Sequence, residues 1–157
     1  MGMYRLLRRW AGRARGFTLI ELLIILAIIA VLFSIGVALY SDTVEKARIA
    51  KAMADIANIS SEISTFETMN ERLPTSLSEV GRAGFLDPWG RPYEYLDLSV
   101  SPGQARKDHA LHPLNSDFDL YSKGKDGASQ PPLTAASSRD DIVRANDGQY
   151  IGLASGY

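Results

Sequence analysis

The sequence predicts an α+β fold, with one long N-terminal helix, apolar and then amphipathic, packed against a small antiparallel β-sheet that carries a long C-terminal loop. Three observations predict it. An apolar run with a single ionisable residue fills residues 17–40, a helical stripe of isoleucines follows, and two short runs bounded by glycine and proline come after. The chain of 157 residues has room for one membrane element and one small globular domain.

The apolar run lies in "RGFTLIELLIILAIIAVLFSIGVALY", which starts at Arg15. As a helix, residues 17–40 would measure about 36 Å, enough to cross a hydrocarbon core of about 30 Å with some tilt. A cleaved secretory signal is disfavoured, because the stretch is too long and Ser34-Ile35-Gly36 and Val37-Ala38 do not end it cleanly. Ahead of it stand Arg5, Arg8, Arg9, Arg13 and Arg15 with no acid among them, so this flank is expected to stay cytoplasmic and the far side to be exported. Of 17 basic and 18 acidic residues, removing those five leaves 12 against 18, a net −6 for the remainder. The exported part therefore shows no overall footprint for nucleic acid or anionic lipid.

Glu21 interrupts the run near its start. An ionisable group at that depth costs several kcal/mol unless it is neutralised or paired, which makes it a functional candidate. Two readings stand side by side. Glu21 snorkels to the headgroups, or it meets a cation. Cleavage between Gly16 and Phe17 would supply one, a new α-amino group one helical turn away, on the same chain or on a neighbouring copy.

These residues closely resemble the N-terminus of type IV pilins and type II secretion pseudopilins. The resemblance implies that a prepilin peptidase cuts after Gly16, that the new N-terminal Phe17 is methylated, and that Glu21 pairs with the terminal amine of an adjacent subunit during assembly. It implies a cleaved leader over 1–16, a transmembrane and assembly helix over 17–40, and a periplasmic domain over 41–157. Many members carry a kinking proline near the position of Ala38; this chain has none before Pro74.

Beyond Tyr40 the charge becomes mixed. Ile49, Ile56 and Ile63 fall seven apart, with Ala52, Ile59 and Phe66 offset by three, while Lys46, Lys51, Asp55, Glu62 and Glu67 lie off the stripe. This predicts a helix burying one face on its own domain; e/g charge pairing is too unclear to favour a coiled coil. Pro74 disfavours helix at Leu73, so the helix is expected to run to about Asn70. Ser76-Leu77-Ser78-Glu79 has capping-box spacing and predicts a short helix to about Val80.

"LDPWGRPYEYLDL" is a turn cluster followed by an alternating run, read as a strand over residues 93–98, with Trp89 buried against the helix rather than stacking a ligand. His109 and His112 lie three apart beside Pro113, poor spacing for metal ligation off a helix. "SDFDLYSKGKDG" predicts a second strand over residues 118–122. The following "ASQPPLTAASSRDDIVRANDGQYIG" is polar and proline-interrupted, and is expected to be irregular and to need something that holds it. Asp126, Ser129, Asp140 and Asp141 offer oxygen ligands, but the spacing does not match an EF-hand and by itself favours solvated acids over a metal site.

The order of "DPWGRPYEY", "DFDLYSKGKDG" and "DDI" resembles that of type II secretion major pseudopilins over most of the chain. That resemblance implies a calcium ion in the C-terminal loop, held by Asp126, the Lys123 carbonyl, and Asp140 or Asp141. The segment "ASQPPLTAASSR" is longer than usual in that family. Expected partners are further copies in a helical filament, other pseudopilins, the prepilin peptidase and an inner-membrane assembly platform, with no nucleic acid.

The function implied is a non-enzymatic filament subunit, anchored in the inner membrane with its C-terminal domain periplasmic before assembly. It would drive protein export across the outer membrane. The alternative is a pilin or minor pilin of a surface filament for adhesion, motility or DNA uptake. The absence of cysteine removes the C-terminal disulfide loop of many type IV pilins and favours the first. A membrane-anchored hydrolase is disfavoured, because no nucleophile elbow, phosphate loop or zinc signature accompanies the serines and histidines.

Overall fold

A computed structural model describes residues 16–157, so the expected leader, except Gly16, lies outside the described residues. One helix, α1, spans Leu19–Asn70. The chain divides into two compact units between Ser41 and Asp42. In the first, the apolar side chains of α1 are bare among the described residues: Leu19, Leu26, Ile29, Leu32 and Phe33 are all more than half exposed. By length and composition this helix is apolar enough to cross a membrane.

The second unit owns a core. On α1, Ala52, Ile56, Ile59 and Ile63 are fully buried, with Ile49 partly buried beside them, as the seven-residue stripe predicts. They pack on one face of a four-stranded antiparallel sheet in the order β1-β2-β3-β4. The strands are β1 Glu94–Asp97, β2 Phe118–Ser122, β3 Ile142–Ala145 and β4 Tyr150–Leu153. Phe118, Leu120 and Ile142 alternate toward the helix, and Val143 and Ala145 face the other way.

That second face is also covered. Leu114, Leu133, Val143, Ala145 and Ala154 form a smaller apolar cluster, roofed by Tyr121, Tyr150 and Tyr157. Leu133 reaches it because residues 105–114 and 131–133 pair with each other: Lys107 N–H donates to Pro131 O at 2.9 Å, and Leu133 N–H donates to Lys107 O at 3.0 Å.

Two sequence expectations are corrected. Residues 142–153 are not irregular but form the β3–β4 hairpin, with Ala145 paired to Tyr150. Its turn, "NDGQ", places Asn146, Asp147 and Gly148 at positive φ, the residue types such turns select. Ser116 holds it, donating N–H and Oγ to Asp147 at 2.7 and 2.8 Å. The capping box is shifted by one residue: Leu77–Val80 is a 3-10 turn, Ser76 makes no cap bond, and Glu79 accepts the N–H of Thr75 at 2.7 Å. Trp89 lies against the core as expected, its Nε1 donating to Glu45 at 3.2 Å.

Candidate functional site

Two places hold the residues singled out by the sequence. At the first, Thr18 and Glu21 cap the start of α1 reciprocally. Glu21 N–H donates to Thr18 Oγ1 at 3.3 Å, and Glu21 Oε2 accepts the Thr18 N–H at 2.9 Å and its hydroxyl at 2.7 Å. This is a capping box, which satisfies helix-start donors that lipid would leave orphaned. The signal, Thr-x-x-Glu, is plain in the sequence and is one the reading of Glu21 passed over. Gly16 and Phe17 precede the helix, with Phe17 78% exposed. Further along, Ile29, Leu32, Phe33, Gly36, Val37 and Tyr40 line a shallow apolar groove on the same helix.

The second place joins two motifs of the second unit. Asp87 accepts N–H bonds from Trp89 and Arg91 at 3.0 and 2.9 Å, closing the "DPWGR" turn, and the Ser122 hydroxyl donates to its other oxygen at 2.6 Å. Ser122 Oγ in turn accepts Gly124 N–H at 3.1 Å. Arg91 donates to the carbonyls of Gly124 at 2.7 Å and Lys125 at 3.2 Å. Gly124, at φ 60°, lies under Asp140, where an added Cβ would stand 2.1 Å from the Asp140 carbonyl oxygen.

The expected calcium donors surround this turn without forming a cage. The exposed Asp126 spends Oδ1 on Ala128 N–H at 2.7 Å, and Asp140 Oδ2 accepts Asp126 N–H at 2.9 Å. Lys123 O accepts Gly127 N–H at 3.2 Å, while its ammonium pairs with Glu94 at 2.5 Å. Asp141 points inward, fully buried, with Oδ2 bonded to Arg106 Nη2 at 2.7 Å and to the Ser129 hydroxyl at 2.6 Å. Burial pushes its carboxyl up to about 6, against the pull of Ser129 and Arg106. Asp141 Oδ1 is a buried acceptor with no partner, one oxygen where calcium takes six to eight. Among the described residues no three of His, Cys, Asp and Glu come together as metal ligands, His109 and His112 included. As arranged, this donor set does not fit a calcium ion.

The comparisons with known proteins bear on the first of these places and on the chain as a whole. Residues 12–37 match the family model of the prokaryotic N-terminal methylation motif. The chain is 30% identical to the type II secretion system core protein G of Dickeya chrysanthemi, over 73% of this chain and 80% of that protein. It is 29% identical to the protein of the same name from Aeromonas hydrophila, over 85% of this chain and 94% of that one. A fimbrial protein of Neisseria meningitidis is 24% identical, over 85% and 80% respectively. No solved structure matches the chain.

Proposed function

The chain belongs to the type II secretion system core protein G family, and from that premise we propose that it is a pseudopilin, a structural and non-catalytic subunit that polymerises through α1. The observation that carries this reading is the bare apolar face of residues 19–37, opening on a capped Glu21 inside a methylation motif. Such a face is tolerated in lipid and, on leaving it, must be covered by copies of itself.

The prepilin peptidase would cut after Gly16, and the freed amine of Phe17 would be methylated. Glu21 of one subunit would then meet the ammonium of another, since a carboxylate in an apolar bundle demands a cation. Before assembly the helix would anchor the chain in the inner membrane, leader cytoplasmic and residues 41–157 periplasmic. The assembly platform and other pseudopilins are the remaining partners.

Mass spectrometry of the N-terminus from native cells should show a chain starting at methylated Phe17, and Glu21→Ala should abolish filaments while leaving membrane insertion intact. A retained arginine-rich leader, or filaments unaffected by Glu21→Ala, refutes the proposal. The fimbrial relative favours one second reading, a surface-filament subunit. Deleting the gene separates the two: export fails in the first case, surface fibres in the second.

A further inference from the structure

We propose that Arg106 supplies, as a resident cation, the positive charge that holds the C-terminal loop, so that this domain keeps its loop ordered without calcium. Four observations lead there. Arg106 is 4% exposed and Asp141 is fully buried, and they meet at 2.7 Å. Ser129, at the head of the long segment, binds both: its hydroxyl donates to Asp141, and its oxygen accepts from Arg106 Nη1. The guanidinium lies 4.2 Å over the Tyr121 ring, which places it on the sheet rather than in solvent. Finally, Arg106 begins the strip that Lys107 continues by pairing with Pro131 and Leu133, so the same few residues fix the segment at both ends.

The charge arithmetic agrees. Asp141 cannot be left buried and unpaired, and the guanidinium meets it with one directed bond at Oδ2, while Asp141 Oδ1 and Arg106 Nε stay without a hydrogen-bond partner among the described residues. On the opposite flank Arg91 takes the Gly124 and Lys125 carbonyls, oxygens of the kind a metal loop offers to an ion. Asp126 Oδ1 accepts the Ala128 N–H, and Asp140 Oδ2 accepts the Asp126 N–H. One oxygen of each of the three acids, and the Gly124 and Lys125 carbonyls, thus meet protein donors. The inference stands whether or not the chain polymerises.

The test is thermal unfolding of the full chain in detergent, followed by aromatic fluorescence, in chelator and in millimolar calcium chloride. The wild type is expected to melt at one temperature in both. Arg106→Gln should lower that temperature on the order of 10 °C, because it strands a buried carboxylate, and calcium should not restore it. Arg106→Gln with Asp141→Asn, which removes both charges, should recover more than half of the loss. Asp126→Asn and Asp140→Asn should melt like the wild type in both buffers. A wild-type melt that falls by several degrees in chelator and returns with calcium overturns the proposal, as does an Asp126→Asn or Asp140→Asn loss as large as that of Arg106→Gln. Should Arg106→Gln not fold, the wild-type pair of melts and the double variant decide alone.

Discussion

Gly124 and Gly81 share a left-handed backbone, at φ 60° and 76°, but not the same surroundings. Around Gly81 an added Cβ would meet nothing within 4 Å, so Gly81→Ala carries only the conformational cost, about 1–2 kcal/mol. At Gly124 the added methyl would lie 2.1 Å from the Asp140 carbonyl oxygen and 2.9 Å from Asp140 Oδ2. The contact cannot be relieved by a flexible tip, since backbone is what it meets. Either the turn or the approach to β3 must move, at about 1–3 kcal/mol for overpacking. That movement also endangers the Arg91 bond to Gly124 O and the Gly124 bond to Ser122, each about 1 kcal/mol. Gly124→Ala should therefore cost about 3–5 kcal/mol against about 1–2 for Gly81→Ala. Chemical denaturation of the chain, followed by tryptophan fluorescence, measures both. Equal losses at the two positions would show that backbone conformation alone sets the cost, and that Asp140 does not press on this turn.

Two further outcomes follow from the packing and the charges. Ile59 is fully buried between α1 and the sheet, so Ile59→Ala should cost about 2–5 kcal/mol in the same assay, whereas the exposed Ala57→Ser should be near neutral. Glu79 is held down to about 2 by the Arg72 guanidinium and the Thr75 N–H. A depressed carboxyl favours the fold above its unfolded value, and the gain disappears as pH falls through the folded one. Carbon NMR should place the Glu79 midpoint near 2, and Arg72→Ala should return it toward the ordinary value of 4.5.

What could be read in advance was local. The spacing of Ile49, Ile56 and Ile63 is a property of one helix, and the alternating "YEYLDL" and "FDLYS" runs declare themselves within a few residues. The β3–β4 hairpin was lost for a local reason too. Its "IVRANDGQYIGL" pattern follows directly on a polar, proline-marked stretch whose irregularity masks it, although Asn-Asp-Gly between apolar pairs is a turn signal. The Arg106–Asp141 pair was out of reach for a different reason. Thirty-five positions separate its members, and nothing in either neighbourhood marks the partner. Only the pairing of residue 107 with residues 131–133, fixed by the tertiary fold, brings them together. The acids around Asp126 were correctly seen as a cluster in sequence, but a cluster in sequence does not determine which groups in space already occupy their lone pairs.

The closure at the beginning of α1 uses Oε2 of Glu21 for all its contacts with Thr18 and leaves Oε1 unbonded among the described residues. One carboxylate thus has two hands: one grips its own first turn, and the other stays open. Under the assembly proposed above, a cation of a neighbouring subunit would take the open hand without loosening the grip. Losing the threonine would then fray an end, whereas losing the acid would fray it and remove the proposed point of attachment as well.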